Sequence, residues 1–408
     1  MSIVIDDIPP SIRRGATDEE VISNFKNDMG LTEELTALDL NDLLTDNIVE
    51  EESTDGVLMC KDVEVARINH GNVTVFKAGL LPIGIRMKGS IRYDTVFTWL
   101  AKRVLPLDRA NAKKVLNLLQ LPQQDNLTVA IKCKALSLTD SYWYRLENDD
   151  SKWEDVNLYK NSFSEIISEI AFTGGSHPTI QGEYKTPELT GQGSYRKCWV
   201  RDRENIYLYK GNTKGGKESE AEYIISLMLD LMKVDHVKYD LVSYRGSIAC
   251  KCGLITDEDT AIIPFVEFNS FLLKAGRNSL DFISKTWFKD YYTMLLVDGI
   301  VHNVDRHGYN WGLLMDSNNG KVLGLHPLFD HNCGIYIEGG EEYSHMIPNK
   351  TLLEVGKYAY TKLGKPDNVR NLLDWIERKD TKILFNDVFK DKDFRRQFLI
   401  KRIKYILE

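Results

Sequence analysis

Three polar residues in the last third of the chain constrain its fold and function more than any other feature. Asp305 and Asn310 lie five residues apart in the segment DRHGYN, and Asp330 follows twenty residues later in PLFD. Between them, residues 311–314 and 321–325 read as two short strands joined by a turn rich in Asp, Asn and Gly. This hairpin predicts that Asn310 and Asp330 return to the same end of the structure. The alternative is a salt-bridged Asp at a helix end and an unrelated turn residue.

These residue types are the ones that phosphoryl transfer to a hydroxyl requires. The transfer needs a carboxylate beside the attacking hydroxyl and oxygen ligands that hold Mg²⁺ on the phosphates of ATP. The interval from Asp305 to Asn310 is that of a kinase catalytic loop, in which the Asp is the base and the Asn binds metal. We therefore predict Asp305 as the catalytic base and Asn310 and Asp330 as metal ligands.

A nucleotide-binding half is predicted upstream. Gly191, Gly193 and Ser194 lie in a glycine-rich segment, TGQGS, just before a strand-like run, and a second run ends at Lys210. Glycines let backbone amides approach phosphates closely, and a lysine on the next strand pairs with those phosphates. The glycine pair alone is a weak signal, because any hairpin can contain it. Lys210, placed after an apolar strand, strengthens the interpretation.

A glutamate on the following helix is the expected partner of Lys210. In kinases this ion pair fixes the lysine for the phosphates. We predict Glu222 for this role and Glu220 as the reserve, with solvated acids at the helix start as the alternative. The later strand that we predict over 260–266 leads to Glu267, where a hinge between lobes would bind adenine through backbone groups.

The DRHxxN and PLFD motifs together resemble those of the HipA-like serine/threonine kinases. The resemblance covers about residues 57–408 and is strongest at 297–334. It implies a kinase that uses ATP and Mg²⁺ to phosphorylate Ser or Thr, with Ser194 open to inhibitory autophosphorylation. It also implies a toxin–antitoxin setting, in which the substrate is a translation factor such as an aminoacyl-tRNA synthetase and an antitoxin protein is the partner. Asp330 departs from the kinase pattern, since His-Asn-Cys-Gly follows it instead of Phe-Gly.

The resulting fold class is α+β: a two-lobed protein-kinase-like fold with a β-rich small lobe and a helical large lobe, preceded by a small α+β subdomain. The predicted boundaries are an acidic extension (1–56), the N-terminal subdomain (57–125), the small lobe (126–268) and the large lobe (269–408). Within them we predict a single buried helix over 282–302 and a loop over 161–186. Arg103 and Arg109 are predicted to be solvated residues at helix ends.

Charge and cysteine content bound the partners and the compartment. The net charge is −8, yet residues 1–56 carry −12, so the rest of the chain carries +4. No dense basic run with interleaved aromatic residues is present, so we predict no direct nucleic-acid binding. The six cysteines form no C-x-x-C pair, which favours a reducing cytoplasm. No apolar run of membrane-spanning length is found, and no membrane association is predicted.

Three other functions stay open at this stage. A phosphatidylinositol-type lipid kinase shares DRHxxN, but the segment after Asp330 contains Glu338, Glu341 and Glu342 where a lipid headgroup would favour basic residues. A pseudokinase-like regulatory module would bind ATP without turnover. An AMP transferase would use the same motifs on a different bond of ATP.

Overall fold

The computed structural model describes residues 54–87, 89–191, 193–335 and 340–408. Within these ranges the chain forms eleven strands in three antiparallel sheets and thirteen α-helices. In the acidic extension, a capping box at 17–20 predicts one helix and Thr32 a second, and both lie outside the described residues. The architecture is α+β, as predicted.

The first sheet contains the short apolar runs 57–60, 63–68 and 73–76, which turn residues separate and which therefore predict β-hairpins. It contains four strands in the order β3-β2-β1-β4: β1 (Gly56–Cys60), β2 (Val63–Asn69), β3 (Asn72–Val75) and β4 (Tyr142–Leu146). Trp143 on β4 is fully buried, and its indole N–H donates to the carbonyl of Lys61 at 2.7 Å. Trp143 is thus a core residue. The sheet thus takes its fourth strand from beyond residue 125, where we predicted the small lobe to begin.

Four α-helices flank β4 in the chain, three before it and one after it. They are α1 (Tyr93–Ala101), α2 (Ala112–Leu118), α3 (Asn126–Lys132) and α4 (Trp153–Val156). The apolar periodicity of residues 94–103 and 109–119 predicts the first two, and each buries residues of the predicted apolar face, including Val96, Leu100, Val115 and Leu116.

The prediction that Arg103 and Arg109 are solvated is wrong. Both guanidinium nitrogens of Arg103 lie 2.8 Å from the carboxylate of Asp140, and both side chains are 10% exposed. Arg109 is 3% exposed and lies 3.1 Å from the buried Glu188. These acids are distant in sequence, so only the fold supplies the carboxylate that a buried arginine needs.

The second sheet carries the predicted nucleotide-binding strands. Its order is β5-β6-β8-β7, with β5 (Lys197–Asp202), β6 (Asn205–Gly211), β7 (Tyr239–Tyr244) and β8 (Ser247–Gly253). The long helix α6 (Glu218–Met232) packs on β7 and β8 through the apolar face that the sequence predicts. Lys210 on β6 therefore lies close to the start of α6.

The loop predicted over 161–186 contains a helix, α5 (Glu165–Thr173), which packs against β5. Ile167, Ile170 and Phe172 are buried on its inner face. The helix ends at Gly174, whose φ of +70° is the left-handed conformation typical of a helix C-terminus. The glycines after Ile170 therefore end a helix instead of indicating a continuous loop.

The third sheet combines one strand that precedes the DRHGYN segment with two strands that follow it. Its order is β11-β10-β9, with β9 (Thr260–Pro264), β10 (Gly312–Asp316) and β11 (Val322–Leu325). The hairpin of β10 and β11 is the one predicted between Asn310 and Asp330. The strand predicted over 260–266 ends earlier than expected, because a helix begins at Phe265.

Seven helices complete the second half of the chain. They are α7 (Phe265–Lys274), α8 (Ser279–Thr286), α9 (Phe288–Val301), α10 (Leu352–Lys362), α11 (Asn368–Glu377), α12 (Lys379–Phe389) and α13 (Phe394–Leu407). The single helix predicted over 282–302 is two helices, since Trp287 between them adopts non-helical dihedrals. Two glycines, Gly299 and Gly356, let α9 and α10 approach closely: a Cβ on Gly299 would lie 2.4 Å from the Cα of Gly356.

Candidate active site

Lys210 near the end of β6 contacts two carboxylates from different parts of the chain. Its Nζ lies 2.8 Å from Oε1 of Glu222 on α6 and 2.7 Å from Oδ1 of Asp330, which follows β11. The Glu222 side chain is fully buried. Glu220, the reserve candidate, instead pairs with Lys217 at 2.9 Å. The structure thus brings together Lys210, Glu222 and Asp330.

The charges on Lys210 and Asp330 stabilise each other, while burial raises the pKa of Glu222. Burial opposes the charge on Lys210, but Asp330 and Glu222 raise its pKa well above the usual value. Burial likewise opposes ionisation of Asp330, yet the Lys210 ammonium lowers its pKa to about 2. At neutral pH the cluster therefore presents a permanent cation and a permanent carboxylate to the neighbouring cleft.

Glu222 also fixes the segment that follows Asp330. Its Oε2 accepts a hydrogen bond from the backbone N–H of His331 at 3.0 Å. Asp330 itself has a φ of +60°, a left-handed conformation that few non-glycine residues adopt. The contacts to Lys210 and Glu222 hold the chain in this conformation, so the position of the Asp330 carboxylate depends on α6 and β6.

Asp305 and Asn310 lie in the loop that follows α9. The side-chain amide of Asn310 donates to the carbonyl of Asp305 at 2.7 Å, which leaves the amide oxygen available as a ligand. The Asp305 carboxylate is 41% exposed and lies 3.9 Å from the His307 ring. Partial burial raises the pKa of Asp305, and His307 offsets part of this rise. Asp305 is thus an accessible carboxylate close to the Asp330 segment.

Arg306 and Asp298 organise this loop, and neither residue has a role among those predicted from the sequence. The guanidinium of Arg306 binds the Asp298 carboxylate at 3.0 Å, and its Nη1 donates to the carbonyls of Asn310 and Phe329 at 2.7 Å each. Both charged side chains are buried. One arginine therefore ties α9, Asn310 and the residue before Asp330 together. The available signal was Asp298 itself, an acid within the apolar run of α9.

The glycine-rich segment has the backbone conformation expected of a tight loop. Gly191 and Gly193 have φ values of +94° and +96°, which favour glycine. Ser194 is exposed, and its hydroxyl donates to the Asp108 carboxylate at 2.8 Å. The neighbouring Tyr195 hydroxyl instead lies 3.3 Å from Sγ of Cys333, which in turn lies 4.0 Å from the Asp305 carboxylate. Tyr195, and not Ser194, is thus the hydroxyl of this segment that contacts the Asp305 side.

A cavity of about 720 Å³ lies between these elements. Gly191, Gly193, Lys210, Asn310 and Asp330 line one part of it, and Glu267 lines another. This volume is within the range of small-molecule and cofactor sites.

Glu267 reaches the cavity from the first turn of α7, not from a strand. Its carboxylate lies against Gly84, where an added Cβ would come within 2.7 Å of Oε2. Burial raises the pKa of Glu267, while the nearby Arg103 opposes this rise. The elements around the first sheet therefore form part of the cavity wall at this position.

The donor set fits Mg²⁺ in company with a nucleotide. Mg²⁺ usually takes one or two protein carboxylates, with phosphate oxygens and water as its other ligands. Asp330 supplies a carboxylate and Asn310 an amide oxygen on the same cavity wall. Among the described residues no group of three or more His, Cys, Asp or Glu side chains is arranged to hold a metal ion. The two oxygen ligands therefore suit a metal that arrives with phosphates.

The buried His326, just before the PLFD motif, predicts that the folded protein loses stability at acidic pH. Its ring stacks on Phe329 with centroids 4.6 Å apart, and its Nδ1 lies 2.7 Å from the carbonyl of Pro327, to which it donates. Burial lowers the pKa of His326 to about 4. The unfolded chain, with a pKa near 6.5, therefore binds more protons below that pH. We expect the free energy of unfolding to include a contribution of roughly 3 kcal/mol from His326. This contribution is present above about pH 6.5 and is lost as the pH falls to about 4.

Urea unfolding at pH 7 and at pH 4.5 measures this contribution. The variant His326→Phe keeps the ring contact with Phe329 but removes the titration, so its stability should depend less on pH than that of the wild type. The control His177→Phe replaces an exposed histidine and should follow the wild type. Equal pH dependence in His326→Phe and the wild type would contradict the prediction.

A β-rich lobe and a helical lobe that enclose a cavity, with a lysine–glutamate pair on one side and an Asp–Asn loop on the other, define a protein-kinase-like fold. No model of a known protein family matches the chain, and no curated protein sequence does either. Solved structures match more clearly, and they support the same fold.

Two of these structures have kinase-like folds. HipA, from the complex of the Shewanella oneidensis MR-1 toxin–antitoxin system with HipB and operator DNA, matches with a TM-score of 0.51 and 13% identity. The match covers 86% of this chain and 96% of that one. The Helicobacter pylori proinflammatory kinase CtkA matches with a TM-score of 0.38 and 14% identity, over 52% of this chain and 93% of that one. The match to HipA shows that the chain has the fold of HipA-like kinases, which confirms the resemblance drawn from DRHxxN and PLFD.

The matching HipA was solved in a complex with HipB and operator DNA, so the prediction of no direct nucleic-acid binding is not borne out. Across the described residues, every helix is too short or too polar to span a bilayer.

Proposed function

We propose that this protein is an ATP- and Mg²⁺-dependent protein kinase that phosphorylates Ser or Thr. The observation that carries the proposal is the position of Lys210, held between Glu222 and Asp330 at 2.8 and 2.7 Å on the wall of the cavity. A lysine held in this way is placed for the phosphates of ATP. The kinase-like fold supports the same conclusion.

Each residue then has a separate task. Lys210 binds the nucleotide phosphates, Glu222 orients Lys210, and the backbone at Gly191 and Gly193 approaches the phosphates. Asp305 accepts the proton of the acceptor hydroxyl. The hydroxyl oxygen forms a bond to the γ-phosphorus of ATP, the bond from that phosphorus to the bridging oxygen breaks, and ADP leaves.

Two ligands and the hinge complete the proposed site. Asn310 and Asp330 would hold Mg²⁺, which when bound neutralises the charge on the phosphate oxygens. Adenine would bind near Glu267 through backbone groups at the start of α7.

The substrate and partners are proposed from the HipA-like fold. We propose a cytoplasmic kinase that acts on a protein substrate, with an aminoacyl-tRNA synthetase or another translation factor as the candidate and an antitoxin protein as the partner. Ser194 is the proposed autophosphorylation site. Because its hydroxyl binds Asp108 in this conformation, the loop must move before Ser194 can reach Asp305.

The test is purified protein incubated with γ-labelled ATP and Mg²⁺, followed by intact-mass measurement and site mapping. Wild type should gain one or more phosphate masses, and Asp305→Ala should lose at least 99% of this activity, since a general base contributes roughly 100- to 10,000-fold. A translation-factor acceptor is added in parallel, because self-modification alone can be slow.

The other outcomes identify the alternative functions. ATP binding without phosphate transfer to either acceptor would favour a pseudokinase-like module. A gain of the AMP mass would indicate an AMP transferase, and transfer to phosphatidylinositol vesicles but not to protein would indicate a lipid kinase. Each of these results would contradict the proposed function.

A further inference from the structure

The cavity extends beyond the proposed nucleotide site into a groove between α1 and α7. Side chains of both helices line it at intervals of three or four residues, which places them on one face of each helix. Among them are Thr95, Thr98 and Lys102 from α1 and its C-terminal end, and Glu267, Ser270 and Lys274 from α7. These residues define the α1–α7 groove. Because hydroxyl and charged side chains line it, the groove suits a polar ligand.

The groove meets the loop that carries Asp305. His307 and Tyr309 of this loop are exposed and line the same cavity, and Nε2 of His307 lies 3.9 Å from Oδ1 of Asp305. The backbone N–H of Val266, in the first turn of α7, donates to the carbonyl of Gly308 at 3.1 Å. This hydrogen bond fixes the start of α7 against the loop. The groove therefore leads to the proposed catalytic base.

The acidic side chains around the groove already have partners. Asp94, on α1, pairs with Arg92 at 2.7 Å, and Asp140 pairs with Arg103 at 2.8 Å. Burial raises the pKa of Glu267, and the charge that this carboxylate carries faces Arg103. All three acids are thus engaged with arginines of the fold.

Lys274, in the last turn of α7, brings a positive charge to the groove. Its side chain is exposed and lines the cavity, and no carboxylate in the described part of the chain forms an ion pair with it. Lys102 brings a second positive charge from the α1 side. An ammonium group at the wall of a cleft attracts anionic groups as a point charge. The groove therefore favours a ligand that carries a carboxylate near Lys274.

We propose that the α1–α7 groove binds the polypeptide segment that flanks the acceptor Ser or Thr, and that Lys274 selects an acidic side chain in this segment. This inference rests on the proposed kinase function and deepens it, because it names the chemistry of the substrate beside the phosphorylated residue. The hydroxyls of Thr95, Thr98 and Ser270 are suited to the backbone of such a segment, since each can donate and accept hydrogen bonds. Lys274 thus acts on the acceptor and not on ATP.

The experiment is the phosphorylation of a positional peptide library with γ-labelled ATP and Mg²⁺. Each peptide has Ser or Thr at its centre, and the flanking positions are varied one at a time. At one or two of these positions, wild type should prefer Asp or Glu over Lys or Arg by about 3- to 10-fold in kcat/KM, since a partly exposed attraction replaces a repulsion. Lys274→Glu should reverse the preference at the same positions, while its affinity for ATP should stay within about twofold of wild type.

Two further variants serve as controls. Lys289→Glu makes the same charge reversal at an exposed lysine in the first turn of α9, outside the lining of the cavity, and should keep the wild-type peptide preference. Lys274→Arg keeps the positive charge and should also prefer acidic peptides. Thermal unfolding of each variant establishes that the compared proteins are folded.

Three results would overturn the inference. Equal phosphorylation of acidic and basic peptides by wild type would do so, and so would an acidic preference that persists in Lys274→Glu. The third is phosphate transfer to the protein itself or to a protein acceptor but to no library peptide, because the groove would then not bind an extended segment. Failure of the proposed function is distinct from all three, since wild type would then transfer phosphate to no acceptor, itself included.

Discussion

Asp330→Asn is expected to lower the rate of phosphoryl transfer about a thousandfold, while nucleotide binding without magnesium stays nearly unchanged. Asparagine has the shape of aspartate but lacks the negative charge proposed to hold Mg²⁺ against the phosphates. A metal contributes several kcal/mol to stabilising the transition state, and each 1.4 kcal/mol corresponds to about tenfold in rate. The measurement is the transfer rate at saturating ATP together with the ATP affinity as a function of Mg²⁺ concentration.

The control for this variant is Asp374→Asn, which neutralises an exposed carboxylate on α11. It should retain both the wild-type rate and the magnesium dependence. If Asp330→Asn kept the magnesium dependence of ATP binding, Asp330 would not be a metal ligand. If it lost ATP binding in magnesium-free buffer as well, its main role would be to support Lys210, with which it pairs at 2.7 Å.

Arg306→Met is expected to lower the free energy of unfolding by about 3–5 kcal/mol and to abolish most activity. The substitution leaves the buried Asp298 carboxylate without its counter-ion, which is the costly way to break a buried pair. It also frees the carbonyls of Asn310 and Phe329, which Arg306 holds at 2.7 Å. Urea unfolding and the transfer rate measure the two effects separately.

A double variant separates the ion pair from the positioning of the loop. Asp298→Leu combined with Arg306→Met removes both charges and should recover a large part of the stability, but the rate should stay low because the two carbonyls remain unbound. Recovery of the rate as well would show that Arg306 acts only through its ion pair. Arg378→Met is the surface control: Arg378 and its partner Asp380 are 59% and 62% exposed, so its stability should change by less than about 1 kcal/mol.

Much of the candidate site could be predicted from the sequence, because its residues lie at fixed intervals within local strands, helices and turns. The hairpin between Asn310 and Asp330, the strand that ends at Lys210 and the helix that carries Glu222 are all present as predicted. Each of these elements has a short-range signal, either an alternation, a helical period or a turn residue. The distances between Lys210, Glu222 and Asp330 then follow from how those elements pack.

The two errors about Arg103 and Arg109 share one physical cause. Both arginines are buried because carboxylates from distant segments reach them. A single sequence contains the charges but not their pairing. The predicted loop over 161–186 contains a helix for a different, local reason, because the short apolar period of residues 165–173 runs directly into glycines.

Motif spacing and local periodicity were enough to predict the class of fold and the candidate residues for chemistry, since neither needs knowledge of distant contacts. Only the three-dimensional structure shows which carboxylate meets Lys210, which arginine holds the loop of Asp305 and Asn310, and which hydroxyl of the glycine-rich segment contacts the Asp305 side. The first and third of these depend on side chains more than a hundred residues apart, in the pairs Lys210–Asp330 and Tyr195–Cys333. Burial makes them specific, because a charge removed from water must find its partner within the fold.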